Sequence, residues 1–454
     1  MNLGVPAART YAWAYLCFGV AAVLLFAFAI PPYQSPDEPA HFKRADQVSR
    51  GELLARRLDG APASGGVVSA GIDATVQPFV SLHFNPQVKT TPDMFAQAEP
   101  VTWANSASGP SAFSNAALYP PVLYLPAAAA ILAGKLTDMS VVSTLRLARI
   151  ANGLVSVAIA AAAIALAGAA APWIFTLLSL PTSLSVMASA SHDGPMIALA
   201  ALAAAILLNA WPGGRFARSR GAFAVMCAAI ALVASARPIY APLAVLPLLV
   251  TGQPLAVRLA GAAIIVAIVG LWSRIVAPLV LLQVADGADP QAQLALIRAD
   301  PLNFLVVVAR TAKIGFWSLL ESFVGRLGWL DTALPPIYHV VARVELLIAA
   351  VATVAALSMR RFNARALFVA AAIAGGCFAL FLSLYLVWTK PGEIIVVGVT
   401  GRYLMPLAMF IPAAIPFVFA PAPPAVGRAA FVALVIFPPV SIAVTLLAVM
   451  QRYY

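Results

Sequence analysis

Residues 119–136 read YPPVLYLPAAAAILAGKL, and whether this stretch crosses a bilayer decides which way every later segment faces. Pro120, Pro121 and Pro126 crowd its first half, and Lys135 stands near its end. Proline removes a backbone donor and disturbs a helix interior, so the stretch suits a helix resting at a membrane surface as well as a short span. The surrounding charges make the choice. If it does not cross and the N-terminus is inside, the inner loops hold Arg9, Arg215, Arg218, Arg220, Arg258, Arg360, Arg361, Arg365 and Arg428, with no acidic residue. If it crosses, the arginine-rich loops 212–220 and 359–365 fall outside. Cytoplasmic loops concentrate Lys and Arg, so 119–136 is read as a juxtamembrane helix.

That a bilayer is involved at all follows from composition. Of 454 residues, 62% are hydrophobic and 10% charged, against roughly 25% charged in ordinary soluble domains. Mean hydropathy is +0.92. These values exclude a soluble globular enzyme, a disordered chain and a disulfide scaffold. The net charge of +11 then reads as an orientation signal and calls for no nucleic-acid partner. Cys17, Cys227 and Cys377 sit in apolar stretches and read as packing residues.

A helical span needs about 20 mostly apolar residues. Such stretches lie near 11–30, 144–168, 172–190, 195–211, 221–236, 239–251, 257–283, 340–358, 366–388, 402–420 and 429–449. The first runs from Ile30 into Pro31-Pro32-Tyr33 without a cleavage-like ending, so it reads as a retained helix. The expected fold is an all-α polytopic membrane protein, one integral domain over 1–454 with about eleven transmembrane helices and the C-terminus outside. A large first outer loop (31–143) carries juxtamembrane helices. A second outer segment (284–339) contains an amphipathic stretch, Pro301 to Phe323, with Arg310, Lys313 and Glu321, which suits a helix lying in the interface. The sequence shows no internal repeat, P-loop, dinucleotide fingerprint or zinc-ligand spacing.

This topology sorts the charges. Of 17 acidic residues, all but Glu345 fall in outer loops, as do His41, His83, His192 and His339, the last at the boundary. The sharpest cluster is Pro36-Asp37-Glu38-Pro39-Ala40-His41-Phe42-Lys43-Arg44. Adjacent carboxylates at a membrane surface repel and lose solvation, which suits a general base. If Asp37 opens a helix, His41 shares its face at i+4. A plain interfacial helix start, with carboxylates at its positive end and snorkelling cations, has the same pattern. The second cluster, Ser191-His192-Asp193-Gly194, joins two spans, where Ser, Asp and Gly also serve as caps. Arg237, Arg326, Lys390 and Arg402 stand at outer helix ends and together could hold a phosphate leaving group.

Several stretches resemble the bacterial membrane-protein family catalogued as domain of unknown function 2142. They are Pro31 to Phe42, Tyr119-Pro120-Pro121, Ser191-His192-Asp193-Gly194, Ala236-Arg237-Pro238, Gly325-Arg326-Leu327-Gly328-Trp329-Leu330-Asp331 and Gly401-Arg402-Tyr403-Leu404-Met405-Pro406. That family looks like a branch of the GT-C glycosyltransferases. The resemblance implies a GT-C-like fold and a catalytic carboxylate matching Asp37, with Glu38 beside it. It also implies a second acidic residue matching Asp193 and an outer cation matching Arg237.

The function expected is transfer of a sugar from a polyprenyl-phosphate donor to a glycan or lipid-linked acceptor, at the periplasmic face of a bacterial cytoplasmic membrane. Asp37 is the expected base, with Glu38, His41, His192 and Asp193 around it. Arg237 and Arg402 are the expected phosphate ligands, with Lys390, Arg44 and Arg326 in reserve. No cofactor is assigned with certainty; a divalent metal is possible, with Asp37, Glu38, His41, His192 and Asp193 able to supply ligands. A transporter or flippase, or a non-catalytic assembly subunit for a lipid-linked glycan, is the competing reading. Transporters place ionisable residues near the midplane, and this sequence has almost none there.

Overall fold

The computed structural model describes residues 8–211, 214–359, 364–415, 417–419 and 424–454. From the N-terminal side, α1 (Ala8–Ala29) leads into the first loop. There α2 (Glu38–Ser49) and α3 (Leu125–Leu136) accompany a three-stranded antiparallel sheet of β1 (Arg56–Arg57), β2 (Ser64–Ser69) and β3 (Ser108–Ala112). Next come α4 (Val141–Leu166), α5 (Ala171–Leu178), α6 (Pro181–Met187), α7 (Asp193–Asn209) and α8 (Arg220–Ala236). A 3-10 segment, Pro238–Leu249, precedes α9 (Leu255–Val276). The second loop holds α10 (Pro290–Ala299) and α11 (Pro301–Gly325), and α12 (Pro336–Ala356), α13 (Ala364–Val387) and α14 (Pro424–Tyr453) come after it.

The fold is mostly helical, and the chain is a polytopic membrane protein. Seven helices among the described residues are long and apolar enough to cross a bilayer, or eight if α5 and α6, bent by 76°, form one broken span with the turn before them. Six of the eleven expected spans are such helices; the seventh is α11. The remaining five are not long single helices, and proline explains three of them. The 172–190 stretch breaks at Pro181, and 239–251, with Pro242 and Pro247, winds as a 3-10 segment. The 402–420 stretch is cut into Gly401–Leu404, Met405–Ala408 and Ile411–Ala414 around Pro406 and Pro412, because each proline withholds a helix donor. The other two, α7 and α8, have 17 residues each, about 26 Å of helix.

Helix α7 is buried almost all round and forms the centre of the bundle, as expected for a helix without a polar face. It packs on α4, which packs in turn on α1. Gly153 makes that approach possible: a Cβ there would lie 2.6 Å from the Val23 side chain and 2.9 Å from the Met187 carbonyl. Small residues at such crossings let helices meet closely in lipid.

The small sheet corrects an all-α expectation, since 59–71 reads as a turn region rich in Gly, Ala, Ser and Pro. Gly65 lets β2 run against β3, where a Cβ would strike the Ser111 carbonyl. Helix α3 lies along α2 and against α4, with Lys135 paired to the buried Asp46 and Tyr124 bonded to His41. Pro121–Leu136 is a short apolar helix.

One end of the bundle carries this cap and the acidic clusters; the other gathers arginines. Arg215 Nη2 donates to the Leu166 carbonyl at 2.8 Å, Arg258 Nη1 to that of Leu248 at 2.8 Å, and Arg365 Nη2 to Thr251 Oγ1 at 3.0 Å. Arg360 and Arg361 lie outside the described residues. Helix α14 finishes at the cap end, where Lys89 bonds the Arg452 carbonyl at 3.0 Å. Helix α11 is long enough to cross, yet both its ends are fastened toward the cap. Gln293, just before it, donates to carbonyls of Tyr385, Thr389 and Lys390 around the far end of α13, and Ser322 Oγ accepts from Gly401 N at 2.8 Å.

Candidate active site

Asp37 immediately precedes α2 in a left-handed conformation, φ 56° and ψ 14°. Asp tolerates this region better than most residues, and such strain clusters at functional sites. Its backbone carbonyl accepts from Ala40 N and His41 N, which starts the helix. The side chain is turned outward and 38% exposed. One oxygen accepts from Asn115 Nδ2 at 2.8 Å, and the other lies 3.8 Å from Arg402 Nη2.

Glu38 points the opposite way. It is fully buried and takes Arg149 through both oxygens, Nε at 2.9 Å and Nη2 at 2.6 Å, with Ala190 N at 3.2 Å as a third donor. Arg149 also donates to the carbonyls of Ala27, Ile30 and Pro31. With these lone pairs committed, Glu38 is a clamp that joins the end of α1 to the 188–192 turn. This corrects its expected catalytic place.

Asp193, the first residue of α7, accepts from Arg237 Nη2 at 2.9 Å, with His192 Nε2 at 3.4 Å. Arg237 sits over the ring of Tyr403 at 4.4 Å and near that of Tyr119 at 5.9 Å. His192 stacks on Tyr119, centroids 3.8 Å apart, and lies 5.2 Å from His41, whose Nδ1 bonds Tyr124 Oη at 2.8 Å. Burial holds the His192 imidazole well below its ordinary range, against the opposing pull of Asp193, and lowers His41 as well. Asn152 anchors the turn through the Ser189 and Ser191 carbonyls, each at 2.8 Å. Arg402, next to Tyr403, keeps buried Nε and Nη1 atoms with no partner.

A family model described as "Predicted membrane protein (DUF2142)" matches residues 20–411. The chain belongs to the DUF2142 family. No curated protein and no solved structure matches it.

In this DUF2142 member the fold brings together Asp37, His41, His192, Asp193, Arg237 and Arg402 from four separate stretches of chain. Two expected phosphate ligands are elsewhere. Arg44 is buried under the cap, bonded to Gln47 and to the carbonyls of Leu53 and Tyr119. Lys390 is exposed beside Gly287 in the second loop. Arg326 lines a cleft together with Arg402.

The residues expected as metal ligands do not form a metal-holding group. Glu38 is spent on Arg149, Asp193 faces Arg237, and no group of three or more His, Cys, Asp or Glu side chains among the described residues could hold a metal ion. Sequence reasoning missed Arg149 and Asn115. A charged residue inside an apolar run is itself a functional signal, so Arg149 was legible in principle. Asn115 carries no such mark.

Proposed function

We propose that this DUF2142 protein transfers a sugar from a polyprenyl-phosphate donor to a hydroxyl of a glycan or lipid-linked acceptor. The reading adds a GT-C-like architecture with the cap end facing the periplasm and the arginine-rich end the cytoplasm. The observation that carries it is the pairing of Asp37, the exposed carboxylate of the cluster, with Arg402, whose buried Nε and Nη1 are unpartnered. A base and an anion ligand therefore stand side by side, at 3.8 Å.

In the reaction, Asp37 takes the proton of the acceptor hydroxyl while that oxygen bonds the anomeric carbon. The bond from that carbon to the phosphate oxygen breaks, its electron pair leaving with the lipid phosphate. Arg402 stabilises the charge that develops on the leaving oxygen. Direct displacement inverts the anomeric carbon. Asp193 orients Arg237 between Tyr119 and Tyr403, making a second cationic wall.

The test is sugar transfer in reconstituted membranes by wild type and Asp37→Asn. Loss of transfer in a folded mutant supports the reading. Undiminished transfer removes Asp37 as the base, and movement of intact lipid-linked glycan without sugar transfer favours a flippase.

A further inference from the structure

A hairpin of β4 (Arg326–Leu327) and β5 (Thr332–Ala333) meets two loops that are distant in sequence. At its turn, Trp329 Nε1 donates to the Tyr33 carbonyl at 3.1 Å, across 296 residues of chain. His83 packs against the same indole with ring centroids 4.1 Å apart, and Phe84 meets it edge-on at 5.5 Å. Arg452, at the end of α14, closes the arrangement. Its Nη2 donates to Asp331 of the hairpin at 2.7 Å and to the Leu82 carbonyl at 2.6 Å, and its Nη1 to the Val88 carbonyl at 3.0 Å. The side chains of this ion pair are 5% and 7% exposed, so the hairpin is fastened by a buried contact.

The backbone marks the same place. Among the described residues, five that are not glycine have a left-handed φ: Tyr33 at 64°, Asp37 at 56°, Phe84 at 54°, Asp138 at 51° and Leu330 at 64°. Tyr33 and Phe84 touch Trp329, Leu330 follows it, and Asp37 ends the loop that Tyr33 begins. A left-handed backbone is unfavourable for residues with a Cβ, most of all bulky ones, and persists only where the surroundings over-determine it. At Tyr33 they do so from both sides. Trp329 holds its carbonyl, and its buried Oη lies 2.6 Å from Thr75 Oγ1. Only Gln34, Ser35 and Pro36 separate Tyr33 from Asp37. Packing against His83 asks for no more than a flat ring; what the indole adds is one N–H donor, aimed at this loop.

We infer that Trp329 is a positioning residue, whose N–H fixes the 33–37 loop and with it the outward direction of the Asp37 carboxylate. The hairpin is a strap through which the second outer segment and the end of α14 act on the base. A small displacement of Asp37 from its place beside Arg402 costs rate, because reactive geometry tolerates little error. The inference rests on the sugar-transfer reading only in making Asp37 the base; the hold of Trp329 on the loop does not depend on it.

Full-length protein in lipid nanodiscs tests it by two measurements. The first is hydrogen–deuterium exchange of wild type, Trp329→Phe and a matched control, Trp173→Phe, which loses a 2.9 Å bond from Nε1 to the Ala408 carbonyl. Trp329→Phe should speed exchange of peptides covering 33–37 by about fivefold, and Trp173→Phe should leave it at the wild-type rate. The second is the initial rate of transfer from a short-chain prenyl-phosphate glucose. Trp329→Phe should lower kcat by about tenfold and hold the donor KM within about twofold, because it displaces the base and not the phosphate ligands. Melting temperatures within a few degrees of wild type identify folded variants. His83→Ala, which removes the ring packed on the indole, stands in if Trp329→Phe does not fold and should shift exchange in the same direction.

Exchange at 33–37 indifferent to Trp329, or faster exchange with kcat unchanged, overturns the inference. The two readings fail separately. If wild type transfers no sugar while exchange at 33–37 follows Trp329, only the transfer reading falls. If Asp37→Asn abolishes transfer while neither exchange nor kcat responds to Trp329→Phe, only the strap falls.

Discussion

Glu38 holds Arg149 across 111 residues of chain through both carboxylate oxygens, at 2.9 and 2.6 Å, with both side chains buried. The pair ties α2 to α4, and the other bonds of Arg149 reach the carbonyls that end α1. Asp37, one residue earlier, is thereby set facing outward.

Removing one partner of such a buried pair leaves an uncompensated charge, at a cost of about 3–5 kcal/mol. Glu38→Ala should therefore unfold the protein far below the wild-type melting temperature in detergent. Asp37→Asn, at a partly exposed site, should shift it by no more than a degree or two. Equal shifts for the two would contradict the division of labour between them.

Asp37→Asn should lower sugar transfer by about 10²-fold or more, the scale of general-base catalysis. Asn115→Ala, which removes the hydrogen bond on the other carboxylate oxygen, should cause a smaller loss because it only positions the base. Initial rates with a saturating donor compare the two. A larger effect for Asn115 would point to a different base.

Asp193 and Arg237 should behave as a unit. Arg237→Gln strands the Asp193 carboxylate, and Asp193→Asn strands the guanidinium. The double mutant should recover stability relative to the sum of the single losses, a coupling of the kind seen between contacting charges. Additive melting shifts would show that the 2.9 Å contact contributes nothing.

Stability should fall in mild acid. His192 and His41 are held neutral by burial, so the unfolded chain, with histidines near 6.5, binds protons that the folded protein refuses. Stability is then complete above about pH 6.5 and declines as pH drops below it, by up to about 1.4 kcal/mol per pH unit per histidine. His192→Phe, which keeps a ring on Tyr119, should flatten the dependence of the melting temperature between pH 7 and 5. An unchanged slope would assign the loss to other groups.

Orientation can be read by labelling single cysteines with an impermeant maleimide in a cysteine-free background. Asp59→Cys in the cap and Arg218→Cys at the arginine end should label from opposite sides. Gln291→Cys and Arg326→Cys, which flank α11, should label from the same side as Asp59→Cys. Opposite labelling of those two would make α11 a true span.

Much of the architecture was legible because apolar runs and arginine placement are local properties. Stretches such as 144–168 and 366–388 contain neither proline nor acid and fold as the single helices α4 and α13. The 402–420 stretch is equally apolar but breaks where Pro406 and Pro412 interrupt it, which a hydropathy count does not register. At the site, Asp37, Asp193, Arg237 and Arg402 stood out as scarce charges at helix ends. Arg44 and Lys390 stood out equally, yet one is absorbed by backbone carbonyls under the cap and the other faces outward in the second loop.

The sequence alone thus determined a polytopic, mostly helical membrane protein with its acids and its loop arginines on different segments, because the cost of charge in hydrocarbon acts residue by residue. Only the tertiary structure decided which of two adjacent carboxylates is free. That choice depends on Arg149 and Arg402, each more than a hundred residues distant, and on a left-handed turn that sends neighbouring side chains into opposite surroundings.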